Sequence, residues 1–288
     1  MTTRLLTIGL AVAVFCTPAW AQNNEIDYGG ISNEASDVAL TGKAVWFDLV
    51  TEDVDAATEF YSTVFGWSFT ELQDNVYAVA SNDGQPVAAV AAFEDGDQNR
   101  GEAVWLVSIS VEDIAAAARL AVVGGGTVLE GPEVLPGRGE YVLVQDPQGA
   151  LVMLLNAEDG DPADTGVARN GWLWTELWTS DREAATTFYK SLVGYSSTTV
   201  ADDGGQPIDV LGRDGKARVT ILDTPLTEVD PNWLPYLLVD DVEMAAKKIA
   251  AAGGKVIIPP QRDSRNFDVA VVADPTGGVF AIQELEVE

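Results

Sequence analysis

The sequence predicts an α+β protein of two similar tandem domains, each built from two units in which a strand and a helix precede about three further strands. Three observations support this prediction. Motifs recur 128 residues apart, a second interval of 60 residues divides each half, and alternating apolar segments follow each predicted helix. A register that stays constant over such distances indicates duplication of a whole domain.

The longer interval links strand-to-helix segments and late turns. The stretch from Trp46 to Trp67 returns from Trp174 to Tyr195, and the Asp-Pro-Gln-Gly turn at 146–149 returns as Asp-Pro-Thr-Gly at 274–277, in both cases 128 positions later. The two halves are therefore expected to share one fold.

The shorter interval links four aspartates that each follow an apolar strand: Asp53 and Asp113, then Asp181 and Asp241, each pair 60 positions apart. An aspartate there can accept hydrogen bonds from the free N–H groups of the first helical turn. Each helix is expected to end near glycine, which tolerates the left-handed conformation. The Phe-Tyr pairs at 60–61 and 188–189 occupy helix positions expected to pack on the sheets.

Strands are predicted after each helix, because apolar residues alternate there with a period of two. In the first half these segments are Tyr77–Ser81, Val87–Phe93, Val128–Leu129, Tyr141–Val144 and Leu151–Leu155.

The N-terminal residues have the layout of a secretory signal peptide. Arg4 precedes an apolar stretch, and Ala19-Trp20-Ala21 offers a cleavage site. We therefore expect export, to the periplasm. The predicted domains are a signal peptide at 1–21, an N-terminal extension at 22–42, a first domain at 43–157, a linker at 158–170 and a second domain at 171–288. Disorder is expected only near 23–42 and 158–164.

The chain is strongly acidic, with 16 basic and 45 acidic residues and a formal charge of −29. Removal of Arg4 with the signal leaves 15 − 45 = −30. We expect neither nucleic acid nor, after signal cleavage, a membrane as a partner, because both surfaces are anionic. The charge favours solubility or the attraction of cationic ligands, and either a monomer or a homodimer is compatible with the sequence.

Several chemistries are excluded by composition. The chain has no histidine, and its only cysteine, Cys16, lies in the predicted signal. The mature protein therefore lacks disulfides, thiolate chemistry and a Ser-His triad. Only carboxylates, carbonyls and water could bind a metal.

The repeated segments resemble the vicinal oxygen chelate superfamily, and within it tandem-domain proteins of the glyoxalase/bleomycin-resistance-like type. The resemblance rests on Trp46–Trp67, Trp174–Tyr195 and the two Asp-Pro turns, and it extends over nearly the whole mature chain. It implies that two βαβββ units per domain pair their curved sheets into a half-barrel, or cup, that holds a ligand or metal.

The sequence departs from this family at the metal ligands that the resemblance implies. The positions of the usual histidine and glutamate ligands hold Trp46, Leu106, Trp174, Leu234, Met153 and Ala281. None of these side chains suits a hard divalent ion. We therefore expect no metal and no cofactor.

Strand alternation places the candidate site residues on the cup faces. Trp46 and Asp48 share one face of their strand, with Phe47 and Leu49 facing the helices, and Trp174, Glu176 and Trp178 share the corresponding face of the second domain. Tyr77, Ser108, Tyr141 and Tyr236 could add hydroxyl groups. In the alternative interpretation, the tryptophans simply fill the cups.

These residues suggest an exported, metal-free protein whose aromatic-lined cup binds an aromatic or cationic small molecule. One alternative is a metal-independent lyase or isomerase in which Asp48 or Glu176 is a general base. Another is a non-binding structural or interaction module. Arg138, Arg262 and Arg265 could clamp an anionic group, although surface ion pairs are the commoner role of such arginines.

Overall fold

The computed structural model describes residues 26–34, 36–93, 103–202, 204–227, 229–263 and 266–285. The predicted signal peptide lies outside these residues. The chain forms two domains, each with an eight-stranded mixed sheet and two helices. Within the described residues, none of the helices combines the length and apolar content needed to cross a membrane.

The elements follow the predicted order of strand, helix and three strands, four times over. The first domain contains β1 (Ala44–Thr51), α1 (Val54–Phe65), β2 (Ser68–Gln73), β3 (Tyr77–Asn82), β4 (Gln85–Ala92), β5 (Val104–Ser110), α2 (Ile114–Val123), β6 (Thr127–Leu135), β7 (Gly139–Gln145) and β8 (Leu151–Ala157). The second contains β9 (Trp172–Thr179), α3 (Arg182–Val193), β10 (Ser196–Ala201), β11 (Pro207–Arg213), β12 (Lys216–Asp223), β13 (Asn232–Val239), α4 (Val242–Ala251), β14 (Lys255–Arg262), β15 (Asp268–Ala273) and β16 (Val279–Glu284).

The two sheets have the same topology. Their strand orders are β2-β3-β4-β1-β5-β8-β7-β6 and β10-β11-β12-β9-β13-β16-β15-β14. In each, the first strand of the domain lies near the centre, parallel to one neighbour and antiparallel to the other: β1 lies between β4 and β5, and β9 between β12 and β13. The α+β fold and its duplication are confirmed.

All four predicted helix caps form. The side chains of Asp53, Asp113, Asp181 and Asp241 each accept a hydrogen bond from the backbone N–H three residues later. In α1 and α3 the terminal glycine adopts the left-handed conformation directly. In α2 the cap Gly124 is still right-handed, and the positive φ of 92° falls on Gly125.

The helices of both domains pack into one shared core. Phe47 and Leu49 contribute to it from the first sheet, as strand alternation predicts, and Leu177 and Phe280 contribute from the second. The opposite face of each sheet carries a smaller apolar cluster of its own. These two outer faces are the cups.

Two stretches that the sequence predicts to be disordered are packed where the structure describes them. Ile31 is buried against the first domain, and Asp161 is buried in the linker, where its carboxylate accepts a hydrogen bond from the N–H of Leu40. The expectation of disorder is therefore wrong for the described parts of 23–42 and 158–164, because the two stretches bind each other and the first sheet.

Candidate functional site

The first cup brings together all the side chains that the sequence assigned to it. Trp46, Tyr77, Ser108 and Tyr141 are almost wholly buried on the outer face of the first sheet, with Asp48 among them. Trp46 on β1 lies opposite Ser108 on β5, and Ser108 lies beside Met153 on β8. The cup floor is therefore continuous across three strands.

Asp48 accepts hydrogen bonds from two of these aromatic residues. The Trp46 indole N–H lies 3.0 Å from Oδ1, and the Tyr77 hydroxyl lies 3.2 Å from the same atom. Burial raises the pKa of Asp48 from 3.8 to about 6, although the charge of Arg138 and the two hydrogen bonds oppose the shift. This carboxyl can therefore exchange a proton in the mildly acidic range.

The other two predicted residues of the first cup have different surroundings. Tyr141 donates a hydrogen bond to Glu130, and burial together with that carboxylate raises the pKa of the tyrosine. The Ser108 hydroxyl is buried and has no hydrogen-bond partner among the described residues.

Arg138 is the main surprise of the first cup. We expected it at the surface, but only 2% of it is exposed, and its guanidinium lies 4.1 Å from the centre of the Trp46 ring. It donates hydrogen bonds to the carbonyl oxygens of Tyr28 and Gly29, which explains how a cation can be buried here.

The other two arginines considered in the sequence are outside the cups. Arg262 forms an exposed ion pair of 3.0 Å with Asp268, in agreement with the surface role that we expected. Arg265 lies outside the described residues.

The second cup gathers the corresponding residues around Glu176. The Tyr236 hydroxyl lies 2.5 Å from Oε2 of Glu176, and the Trp178 indole N–H lies 3.4 Å from the same oxygen. Trp174, which is half-buried, donates instead to the Thr220 hydroxyl at 2.7 Å. Glu176 is only 3% exposed, so it lies beneath the rings rather than at the mouth.

A cavity of about 80 Å³ opens beside the second cup. Its wall is mainly apolar, and Asp230 and Asn232 are polar residues that line it. The apolar wall includes Trp178, Leu226, Leu234, Ile257, Val271 and Val279. The start of β5 in the first domain closes one side.

The two cups differ in the side chains at equivalent positions and in what covers them. At positions 128 residues apart, Tyr141 is replaced by Val269 and Met153 by Ala281. The first cup is filled in addition by Tyr28 from the N-terminal extension, which is 1% exposed. The size differences run in both directions, since Val50 and Ser108 correspond to the larger Trp178 and Tyr236. It is therefore the inserted ring of Tyr28 that closes the first cup, whereas space remains beside the second.

The residues present do not fit the metal that the resemblance implies. The ligand positions named above carry indole, alkyl and thioether groups on the cup faces. Within the described part of the chain, no three aspartate, glutamate, histidine or cysteine side chains come close enough to hold an ion. The cups thus lack the donor set of a chelating site.

Two functional candidates were missed by the sequence analysis. Tyr28 lies in an extension with no strand or helix periodicity, so nothing local indicated that its ring would enter a cup. Thr220 lies on β12, a strand that was not predicted from the sequence. Its period-two alternation with Arg218 and Leu222 was the signal available.

Comparison with known proteins supports the fold and the duplication. The family described as Glyoxalase/Bleomycin resistance protein/Dioxygenase superfamily matches residues 43–154 and 171–282. CFP32 of Mycobacterium tuberculosis, whose name includes the word glyoxylase, is 32% identical over 246 residues, which are 84% of this chain and 94% of CFP32.

Two further similarities extend this picture. The anthracycline biosynthesis protein DauV of Streptomyces is 29% identical over 269 residues, which cover 85% of this chain and 94% of DauV. The Mn(II)-bound glyoxalase of Novosphingobium aromaticivorans shares the fold, with a TM-score of 0.59, 18% identity and coverage of 86% of this chain and 83% of that structure. The chain therefore belongs to the glyoxalase/bleomycin resistance protein/dioxygenase superfamily, of which it carries two tandem domains.

Proposed function

We propose that this chain is an exported protein that binds a small molecule in its second cup without a metal. The observation that carries the proposal is the apolar cavity beside Trp178, where Asp230 is the one acidic side chain among the described residues that line it. Concave, mostly apolar sites with a few polar groups are the usual form of ligand pockets.

The size of the cavity limits what enters it. Its volume of about 80 Å³ is smaller than the ~150 Å³ cavity that takes up benzene. An apolar end of a ligand, such as the edge of a ring, fits inside, and the rest of the ligand lies at the mouth. Asp230 is exposed there and favours a positive or hydrogen-bonding group.

Binding is supported better than catalysis because of where Glu176 lies. Glu176 is the obvious general base of the second cup, but it already accepts hydrogen bonds from Tyr236 and Trp178 and does not line the cavity. A bound molecule would touch Trp178 before it reached the carboxylate. The enzyme alternative therefore requires the tryptophan to move first.

Two further arguments support the details of the proposal. The absence of a chelating donor set in the cups supports metal-free binding. The name of DauV connects that relative with anthracycline biosynthesis, and anthracyclines are polycyclic aromatic compounds, a class that suits a tryptophan-walled site. Export rests on the layout of residues 1–21.

The test is to titrate aromatic compounds into EDTA-treated protein, using each compound as a cationic and as a neutral analogue. Binding is measured by calorimetry and by the change in tryptophan fluorescence. We expect saturable binding that survives EDTA and weakens at least about tenfold in Trp178→Leu. Asp230→Asn should weaken binding of the cationic analogue but not of the neutral one.

The matched control is Glu59→Gln, which removes one negative charge from an exposed position on α1, away from the cup. It should leave both affinities unchanged. A panel without any saturable binding, together with little quenching of tryptophan by acrylamide, would instead support the non-binding module. Turnover that survives EDTA and disappears in Glu176→Gln would support the enzyme.

A further inference from the structure

The first cup holds part of its own chain as a ligand would be held. The N-terminal arm, which we define as residues 26–34, contains no helix or strand and lies across the cup. The ring of Tyr28 is inserted among the cup residues and packs edge-to-face on Tyr77, with ring centres 5.1 Å apart and planes at 89°. Edge-to-face packing is a favourable arrangement for an aromatic guest.

The backbone beside Tyr28 is held by polar groups. The N–H of Tyr28 donates to the carbonyl of Pro136 at 2.8 Å, while Arg138 donates to the carbonyls of Tyr28 at 2.7 Å and of Gly29 at 2.8 Å. The first cup thus recognises a ring, one N–H group and two carbonyl oxygens. Together they form the outline of a tyrosyl amide.

The recognising groups belong to the sheet domain and not to the arm. Arg138 is held in place by its stacking on Trp46, and Tyr77 is held by its hydrogen bond to Asp48. These contacts fix part of the cup wall from within the sheet domain, and the two carbonyls of the arm complete the hydrogen bonding of Arg138. An aromatic floor with a fixed guanidinium is suited to flat, carbonyl-bearing molecules.

From these contacts we infer that the first cup is a second binding site, for aromatic amides or similar ring compounds with carbonyl oxygens, and that the N-terminal arm occupies it as an internal competitor. An external ligand binds only when the arm is released. Its apparent Kd is the intrinsic Kd divided by the fraction of molecules in which the arm is released. Weakening the arm therefore raises the apparent affinity of the first cup without altering the cup itself.

The experiment uses the full mature chain and N-acetyl-tyrosyl-glycinamide as the probe, because this compound carries the ring, the N–H group and the carbonyl of Tyr28 together with the carbonyl of Gly29. We expect Tyr28→Ala to bind the probe at least about tenfold more tightly than the parent protein. N-acetyl-leucyl-glycinamide, which keeps the amides but lacks the ring, should bind much more weakly. Arg138→Lys in the Tyr28→Ala background should reduce the affinity, because lysine cannot donate in the same fork geometry.

A second variant separates this site from the proposed function. Adding Trp178→Leu to Tyr28→Ala should leave probe binding unchanged, because Trp178 belongs to the other cup. Tyr28→Leu, which keeps an apolar contact in the first cup, serves if Tyr28→Ala does not fold; it should show a smaller gain in affinity.

Three results would overturn the inference. They are no saturable binding to a folded Tyr28 variant, equal affinity of the parent and the variant, and equal affinity for the tyrosine and leucine probes. In each case the arm would be only a structural cover of the first sheet.

Discussion

The hydroxyl of Tyr61, on helix α1 of the first domain, donates a hydrogen bond of 2.9 Å to Oδ2 of Asp274, in the last turn of the second domain. The relationship is reciprocal, because Tyr189 on α3 donates to Oδ2 of Asp146 at 3.1 Å. All four residues are buried. The residues that reveal the internal repeat thus form a symmetric pair of bonds between its two copies.

We predict that Tyr61→Phe and Tyr189→Phe each lower the free energy of unfolding by about 1–3 kcal/mol, because each leaves a buried carboxylate short of a donor. Each hydroxyl also accepts a hydrogen bond from an indole, of Trp105 or Trp233, which loses its acceptor. Urea unfolding followed by tryptophan fluorescence measures the change.

The control for this prediction is Ser62→Ala, which removes a hydroxyl from an exposed position on the same helix. It should alter the free energy of unfolding by less than about 0.5 kcal/mol. If the two phenylalanine variants unfold at the same urea concentration as the parent, the interdomain bonds contribute nothing to stability.

Asp48 should make the protein more stable in mild acid. Burial raises the pKa of Asp48 from 3.8 to about 6, so the folded state binds this proton more tightly than the unfolded state. Its contribution is therefore fully present below about pH 3.8 and is lost as the pH rises through about 6. With 1.36 kcal/mol per pKa unit, the change amounts to about 3 kcal/mol.

The measurement compares the parent with Asp48→Asn in urea from pH 4 to pH 7. The free energy of unfolding of the parent, relative to the variant, should fall by about 2.4 kcal/mol over this range, because at pH 4 part of the full effect has already been lost. Glu71→Gln, at an exposed position, is the charge-matched control. Parallel pH curves for the parent and Asp48→Asn would show that Asp48 titrates normally in the folded protein.

Local rules predicted the helices and strands, since the aspartate caps and the strand alternation depend only on neighbouring residues, and the 128-residue repeat predicted the duplication. They also placed Trp46, Asp48, Trp174 and Glu176 on the correct faces of their strands. What local rules could not predict is what covers those faces, because the insertion of Tyr28 joins segments more than 100 residues apart in sequence.

The burial of Arg138 followed from the same long-range contact. A loop arginine in an acidic chain normally meets a surface carboxylate, but here two backbone carbonyls of the N-terminal arm take that place. The difference between the open and the filled cup likewise depends on tertiary packing. Alternation assigns a side chain to a face but says nothing about what reaches that face from elsewhere.

A cluster of three cations around the linker should have the opposite pH dependence from Asp48. Lys43, Lys216 and Arg218 lie 3.3, 2.7 and 2.7 Å from the carboxylate of Asp164. Hydrogen bonding from Arg218, followed by the two lysines, holds the pKa of Asp164 well below its usual range in spite of partial burial. Its contribution to stability is present above about pH 3.8 and is lost as the pH falls below that value.

We predict that Asp164→Asn lowers the free energy of unfolding at pH 7 by about 1.5–3 kcal/mol, the usual effect of losing hydrogen bonds to a charged group. The loss should shrink in high salt, because Lys216 is half-exposed and its attraction to the carboxylate is screened. Glu71→Gln again controls for the change in net charge. If Asp164→Asn unfolds at the same urea concentration as the parent, the contacts between Asp164 and the three cations do not stabilise the protein.

The packing of the linker against the N-terminal extension can be tested at Gly160. This glycine has a φ of +78°, and an added Cβ would lie 2.6 Å from the backbone nitrogen of Val38 and 2.8 Å from that of Asp37. Gly215 is the matched control, with a φ of +75° and nothing within 4 Å of an added Cβ. Alanine at either position incurs the left-handed cost of about 1–2 kcal/mol. Only Gly160→Ala should lower the free energy of unfolding by a further ~1–3 kcal/mol, because its Cβ overpacks the site. Equal melting temperatures of the two variants would contradict the packing of residues 37–38 on the linker.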